Sequence, residues 1–183
     1  MKYSVYSTFL TFLLLFASSC IKDNTIDYTE WEQKNTAFVA SAEAERNDDG
    51  TLKYTRIVPD WAPNAFSLVK WENDRTLTEK NLRPLSNSVV KVKYDLEDIE
   101  GRRISDSYSS TTHGDSIYQC RPNQNIIGFW SCVTNMHVGD SVTCIMPYVS
   151  GYGATANGSI KPYSTLVYHI KLVAIPAYEL PLQ

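Results

Sequence analysis

Cysteine and histidine are scarce in this chain, which has four of one and three of the other. No Cys-x-x-Cys pair occurs, and His113, His137 and His169 stand far apart. That spacing excludes the common zinc arrangements, so no metal is expected. Runs of lysine or arginine are also missing: Lys+Arg number 17 against 20 Asp+Glu, a net charge of −3. Nucleic-acid binding usually rests on a basic patch, so no nucleic acid is expected as a partner. No Ser/His/Asp or Cys/His set suggests nucleophilic catalysis, and no cofactor is expected. No apolar run reaches the roughly 20 residues of a membrane-spanning helix. Internal repeats and low-complexity tracts are absent.

What is present reads as one globular domain with an extension. The 183 residues, 43% hydrophobic and 20% charged, can bury a core without disulfide or metal staples. Twelve tyrosines and four tryptophans suit either a binding cleft or a β-rich core. At the start, Lys2 precedes the apolar stretch Phe9 to Phe16 and then Ala17-Ser18-Ser19-Cys20. Basic, apolar and small-residue regions in that order read as a secretory signal over 1–19. A cysteine directly after small residues resembles a bacterial lipobox, with Ala17 where leucine is more frequent. The resemblance implies cleavage before Cys20, lipid on its sulfur and a membrane anchor. The expected location is the envelope of a Gram-negative bacterium, on the outer membrane, facing the periplasm or the surface. Cys120, Cys132 and Cys144 are read as free, buried thiols acting as small hydrophobes.

Residues 21–28 read as a polar tether. Thr29 to Glu32 has the form of a capping box, and Trp31, Phe38, Val39 and Ala42 share a face of a helix over about 30–44. A turn at 47–50 leads to a strand over 52–58, ended by Pro59. Residues 66–71 read as extended and 72–87 as a connector. Val90, Val92 and Tyr94 alternate with Lys91 and Lys93, the pattern of a strand with one wet face. A turn at Glu100-Gly101 leads to a return strand over 103–107, and a polar loop over 108–115 precedes a short strand over 116–120. Phe129, Cys132, Val133 and Met136 mark one short amphipathic helix over 128–136. Strands follow at 142–146 and 166–173, separated by a long loop over 148–164 that contains glycine and tyrosine. Residues 88–176 therefore read as an α+β unit, an antiparallel sheet wrapped around one short helix, after an extension at 20–87 and before a tail at 177–183.

Six short segments then stand in a telling order. Val-Lys-Val-Lys-Tyr (90–94) precedes the Gly101 turn and Ile104-Ser105-Asp106-Ser107. Ile126-Ile127-Gly128-Phe129 and Met136-His137-Val138-Gly139-Asp140 follow. Pro147 leads to Gly151-Tyr152-Gly153-Ala154, and Ile160-Lys161-Pro162-Tyr163-Ser164-Thr165-Leu166-Val167-Tyr168 comes last. This set resembles the FKBP-type peptidyl-prolyl cis-trans isomerase domain over about 88–176. The resemblance implies a five- or six-stranded sheet around the helix, with a proline ring held in an aromatic pocket between them.

The same resemblance assigns the site. Tyr94 matches the pocket-wall tyrosine, Phe129 the tryptophan at the pocket floor and Tyr168 a phenylalanine of the last strand. Ile126 and Tyr152 match the residues whose N–H and hydroxyl bond substrate carbonyls, and Ile160 a loop isoleucine beside the pocket. Ile104 takes the place of a phenylalanine and Ser105 that of an aspartate, with Asp106 one residue late. Asn125 replaces a valine, and Leu96 stands where the family has glycine. A further aromatic position near Ser116 to Tyr118 is left without an assigned residue. The expected catalytic set is thus Tyr152, Phe129 and Asp106, and the substrate-binding set Tyr94, Ile104, Ile126, Ile160 and Tyr168. Implied partners are proline-containing peptides or unfolded exported proteins, with macrolide-type inhibitors as further ligands and the chain a monomer. The alternative is a catalytically weak or inactive lipoprotein of this fold that grips peptide or glycan.

Overall fold

A computed structural model describes residues 26–111 and 116–178. The expected signal over 1–19, Cys20, most of the tether and His113 lie outside the described residues.

Seven antiparallel strands form one sheet in the order β1-β2-β6-β7-β3-β4, with β5 also paired to β3. They are β1 (Thr55–Ile57), β2 (Ser67–Trp71), β3 (Val89–Glu97), β4 (Arg103–Asp106), β5 (Tyr118–Cys120), β6 (Ser141–Met146) and β7 (Leu166–Ala177). The long β7 pairs with β3 on one side and β6 on the other. Alternation decides which side chains go inward. Val90, Val92 and Leu96 of β3, Val142, Cys144 and Met146 of β6, and Leu166, Tyr168, Ile170 and Leu172 of β7 share one buried cluster. Helix α2 (Ile127–Val133) adds Phe129, Cys132 and Val133 to that cluster, closing the inner face. The helix is shorter than expected, yet Met136 beyond its end is still fully buried. Gly128 allows α2 to lie close to β6, because a Cβ there would come within 2.7 Å of Met146 Cγ.

The N-terminal extension belongs to the same sheet. Its strands β1 and β2 add to the β6 edge, so a boundary at 87/88 does not divide the sheet. Helix α1 (Thr29–Ala44) covers the outer face, where Val39 and Ala42 meet Leu68 of β2 and Ile145 of β6, with Phe38, Tyr54, Phe66 and Val167 packed around them. Asn35, with no exposure, ties helix to sheet: its Oδ1 accepts from the Thr165 N–H at 2.6 Å. Trp31 donates Nε1–H to Ser164 Oγ at 3.0 Å.

Two local expectations are corrected. The capping box does not form, because Thr29 is already helical and its own N–H donates to Asp27 Oδ1 at 2.9 Å. The strand expected over 52–58 is only Thr55–Ile57; Leu52 and Val58 are exposed, so their alternation has no buried face to serve. Cys132 and Cys144 are free and fully buried, whereas Cys120 is free and only half-buried.

Candidate active site

The inner face does not close completely. Between β3, β4, β5, α2, the 148–164 loop and β7 lies a cavity of about 220 Å³. Its lining is Tyr94, Leu96, Ile104, Ser105, Tyr118, Asn125, Phe129, Tyr152, Ile160 and Tyr168. A broader depression of about 580 Å³ lies on the outer face, but Lys70, Glu72, Lys93, His169 and Lys171 line it and keep it wet. The inner cavity has no acid, base or metal-ligating side chain in its wall.

Aromatic rings brace one another around it. Phe129 meets Tyr168 edge-on at 5.7 Å between centroids. Tyr94 meets Tyr118 edge-on at 5.5 Å and Tyr168 at 5.8 Å. These separations lie in the favourable range for aromatic pairs. The Tyr94 hydroxyl is held by Ser105 Oγ and Ser110 Oγ, each at 3.1 Å. Among the described residues the hydroxyls of Tyr118, Tyr152 and Tyr168 have no hydrogen-bond partner. Burial pushes all three phenols above their ordinary values, Tyr168 furthest, so they stay protonated donors.

A bulge explains the β4 wall. Leu96 pairs with Ser105 but Glu97 pairs with Arg103, which leaves Ile104 as the extra residue. An extra residue interrupts alternation, so neighbours Ile104 and Ser105 both line the cavity. Asp106 falls opposite Asp95 on the other side. Its Oδ1 accepts from the Ser109 N–H at 2.7 Å, capping the turn after β4, and that bond holds its carboxyl below the usual range.

Tyr94, Ile104, Phe129, Tyr152, Ile160 and Tyr168 are therefore brought together, and Asp106 is not: a serine takes the place expected of the carboxylate. Ile126 does not line the cavity either; it packs against the core at the start of α2, where its carbonyl accepts from the Trp130 N–H. No described residue accepts from the Ile126 N–H. Tyr118 is the lining residue left unassigned by the sequence reading, and the edge-on contact with Tyr94 is what identifies it.

The fold has solved counterparts. The chain is similar to a peptidyl-prolyl cis-trans isomerase from Pseudomonas syringae pv. tomato, with 20% identity, 82% of this chain and 96% of that one covered, and a TM-score of 0.64. It is similar to FkpA from Escherichia coli at 17% identity, over 82% of this chain and 64% of that one, with a TM-score of 0.60. The three FKBP domains of wheat FKBP73 align at 21% identity over 66% of this chain and 50% of that one, with a TM-score of 0.53. No curated protein matches the sequence. The pattern of FKBP-type peptidyl-prolyl cis-trans isomerases matches residues 80–173, just over half of the chain. The chain thus belongs to the FKBP-type peptidyl-prolyl cis-trans isomerase family.

Proposed function

We propose that the chain isomerises X-Pro bonds in exported polypeptides, with the prolyl ring seated in the inner cavity. The observation that carries this reading is the convergence of Tyr94, Phe129, Tyr152 and Tyr168 on one uncharged cavity. The reaction breaks no σ bond; its barrier of about 18–20 kcal/mol is lost amide resonance. The site has only to bind the twisted amide better than the planar one. A planar amide carries a strongly polarised carbonyl that water stabilises. Moving the bond into a wall of rings removes that solvation, which disfavours the planar form more than the twisted one. Tyr152, beside the cavity, supplies a fixed donor for a substrate carbonyl. Ser105 in place of a carboxylate, and Phe129 with no indole N–H, make the activity weaker than that of a typical family member.

The assay is a protease-coupled measurement on an Ala-Leu-Pro-Phe peptide. Acceleration above the uncatalysed rate is expected; a rate equal to it leaves the non-catalytic binding module, a reading that the position of Asp106 favours. Anchoring through Cys20 on the bacterial envelope completes the proposal. Cys20→Ser should leave the membrane fraction or keep its signal, and a cleaved variant that still fractionates with membranes would contradict it.

A further inference from the structure

Tyr168 is the most buried phenol of the cavity, 9% exposed, whereas Tyr94, Tyr118 and Tyr152 are half-buried. It rises from the central strand β7 with Phe129 edge-on against it. Its hydroxyl lies within electrostatic reach of those of Tyr152, Tyr94 and Tyr118. Two serines satisfy the Tyr94 hydroxyl, but no described residue satisfies that of Tyr168. A hydroxyl that opens on the cavity without a protein partner loses its water when a ring enters, and then needs a partner from that ring.

A ring seated against Phe129 also meets Tyr168, which stands edge-on to Phe129 in the same wall. We propose that the Tyr168 hydroxyl is a specificity-determining group that disfavours a bare proline ring and favours a ring whose far edge carries a hydrogen-bond acceptor. A 4-hydroxyprolyl residue has that chemistry. The bare ring offers only methylenes there, so binding it strands the hydroxyl. A ring oxygen accepts the Tyr168 proton and restores the bond. This inference rests on the prolyl reading of the cavity.

The test compares wild type with Tyr168→Phe, which keeps the ring packing and removes one oxygen. Both act on Ala-Leu-Pro-Phe and on the same peptide with 4-hydroxyproline, each referred to its own uncatalysed rate. Peptide Kd values are measured in parallel by NMR titration. Sealing a donor away from water without a partner costs a factor of about 5–100. Tyr168→Phe should therefore raise kcat/KM on the prolyl peptide at least about fivefold and lower it on the hydroxyprolyl peptide. An equal factor on both peptides overturns the inference while leaving the isomerase reading intact. If wild type accelerates neither peptide, the isomerase reading fails, and the Kd values decide: a preference for hydroxyproline lost in Tyr168→Phe supports the inference. Equal affinities, or no binding of either peptide, overturn it.

Discussion

The two faces of the sheet bury different kinds of side chain and end differently. On the outer face Val39 and Ala42 of α1 pack against Leu68 and Ile145 of the sheet. On the inner face α2 closes most of the core, but the rings at its β4 end leave about 220 Å³ open. Small branched side chains can settle around one another toward the close packing of protein interiors. Edge-to-face rings hold each other apart, and the Tyr94 hydroxyl is tied to Ser105 and Ser110. The inner cavity is walled by rings and carries no charge, whereas the broad hollow of the outer face is lined by charged side chains. Changes of similar size on the two faces should therefore have similar effects on stability and different effects on turnover.

The largest expected effect comes from truncating one residue on each face. Phe129→Ala and Leu68→Ala each remove a side chain at most 2% exposed, and such losses cost about 2–5 kcal/mol. Urea unfolding should show losses in that range for both. Isomerase activity per folded molecule should fall only for Phe129→Ala, which opens the pocket floor to water. Equal activity loss in Leu68→Ala would mean that the outer face is not the passive half. Gly128→Ala is next. The added methyl would meet Met146 Cγ at 2.7 Å and Sδ at 2.8 Å, and overpacking of this kind costs about 1–3 kcal/mol. Thermal melts should show the loss. An unchanged melting temperature would mean that Met146 can withdraw without cost.

How far the sequence foretold these two faces follows from what alternation can report. Strands β3, β6 and β7 were legible because each has one apolar row facing α2, and α2 because Phe129, Cys132 and Val133 recur at helical spacing. Alternation does not report partners. That β1 and β2 join the β6 edge is a long-range choice, and nothing in 55–71 alone specifies it. The β4 bulge was invisible for the same reason. Register is set by pairing with β3, so the sequence could not decide between Ser105 and Asp106 for the pocket wall. Asn35 reads as a solvated polar residue until Thr165, far along the chain, supplies the N–H that its carbonyl group accepts. Tyr118 sits in a three-residue strand, too short for a pattern.

A smaller effect is expected from Tyr152→Phe. The ring and its packing stay; one donor to a substrate carbonyl goes. A neutral hydrogen bond contributes about 0.5–1.5 kcal/mol, so kcat/KM should fall about two- to tenfold with stability unchanged. A loss beyond a hundredfold would give Tyr152 a larger part than positioning a carbonyl. A rate equal to wild type would leave the wall of rings as the whole of the site.

The smallest expected effect is none, and it separates the cavity from the charged turn that precedes β6. The lining of the cavity has no group that ionises near neutrality, and burial keeps Tyr118, Tyr152 and Tyr168 protonated past their ordinary values near 10. Their raised values place any loss of stability on the alkaline side, as pH climbs through them. The turn behaves oppositely. Burial raises the pKa of Asp140, but the His137 N–H, the Thr78 hydroxyl, the Asn73 amide and the charge of Arg75 outweigh it and hold the carboxyl below its usual range. A lowered carboxyl stabilises the fold above its unfolded value of about 3.9, and that contribution is lost as pH falls through the folded value. From about pH 5 to 9 the three phenols and the Asp140 carboxyl each hold one protonation state, so kcat/KM should be flat across that window when read by exchange NMR, which needs no coupling protease. Asp140→Asn should destabilise the fold near pH 7 and reduce the further loss on acidification. A bell-shaped rate profile within the window would place a titrating group at the cavity that its lining does not contain.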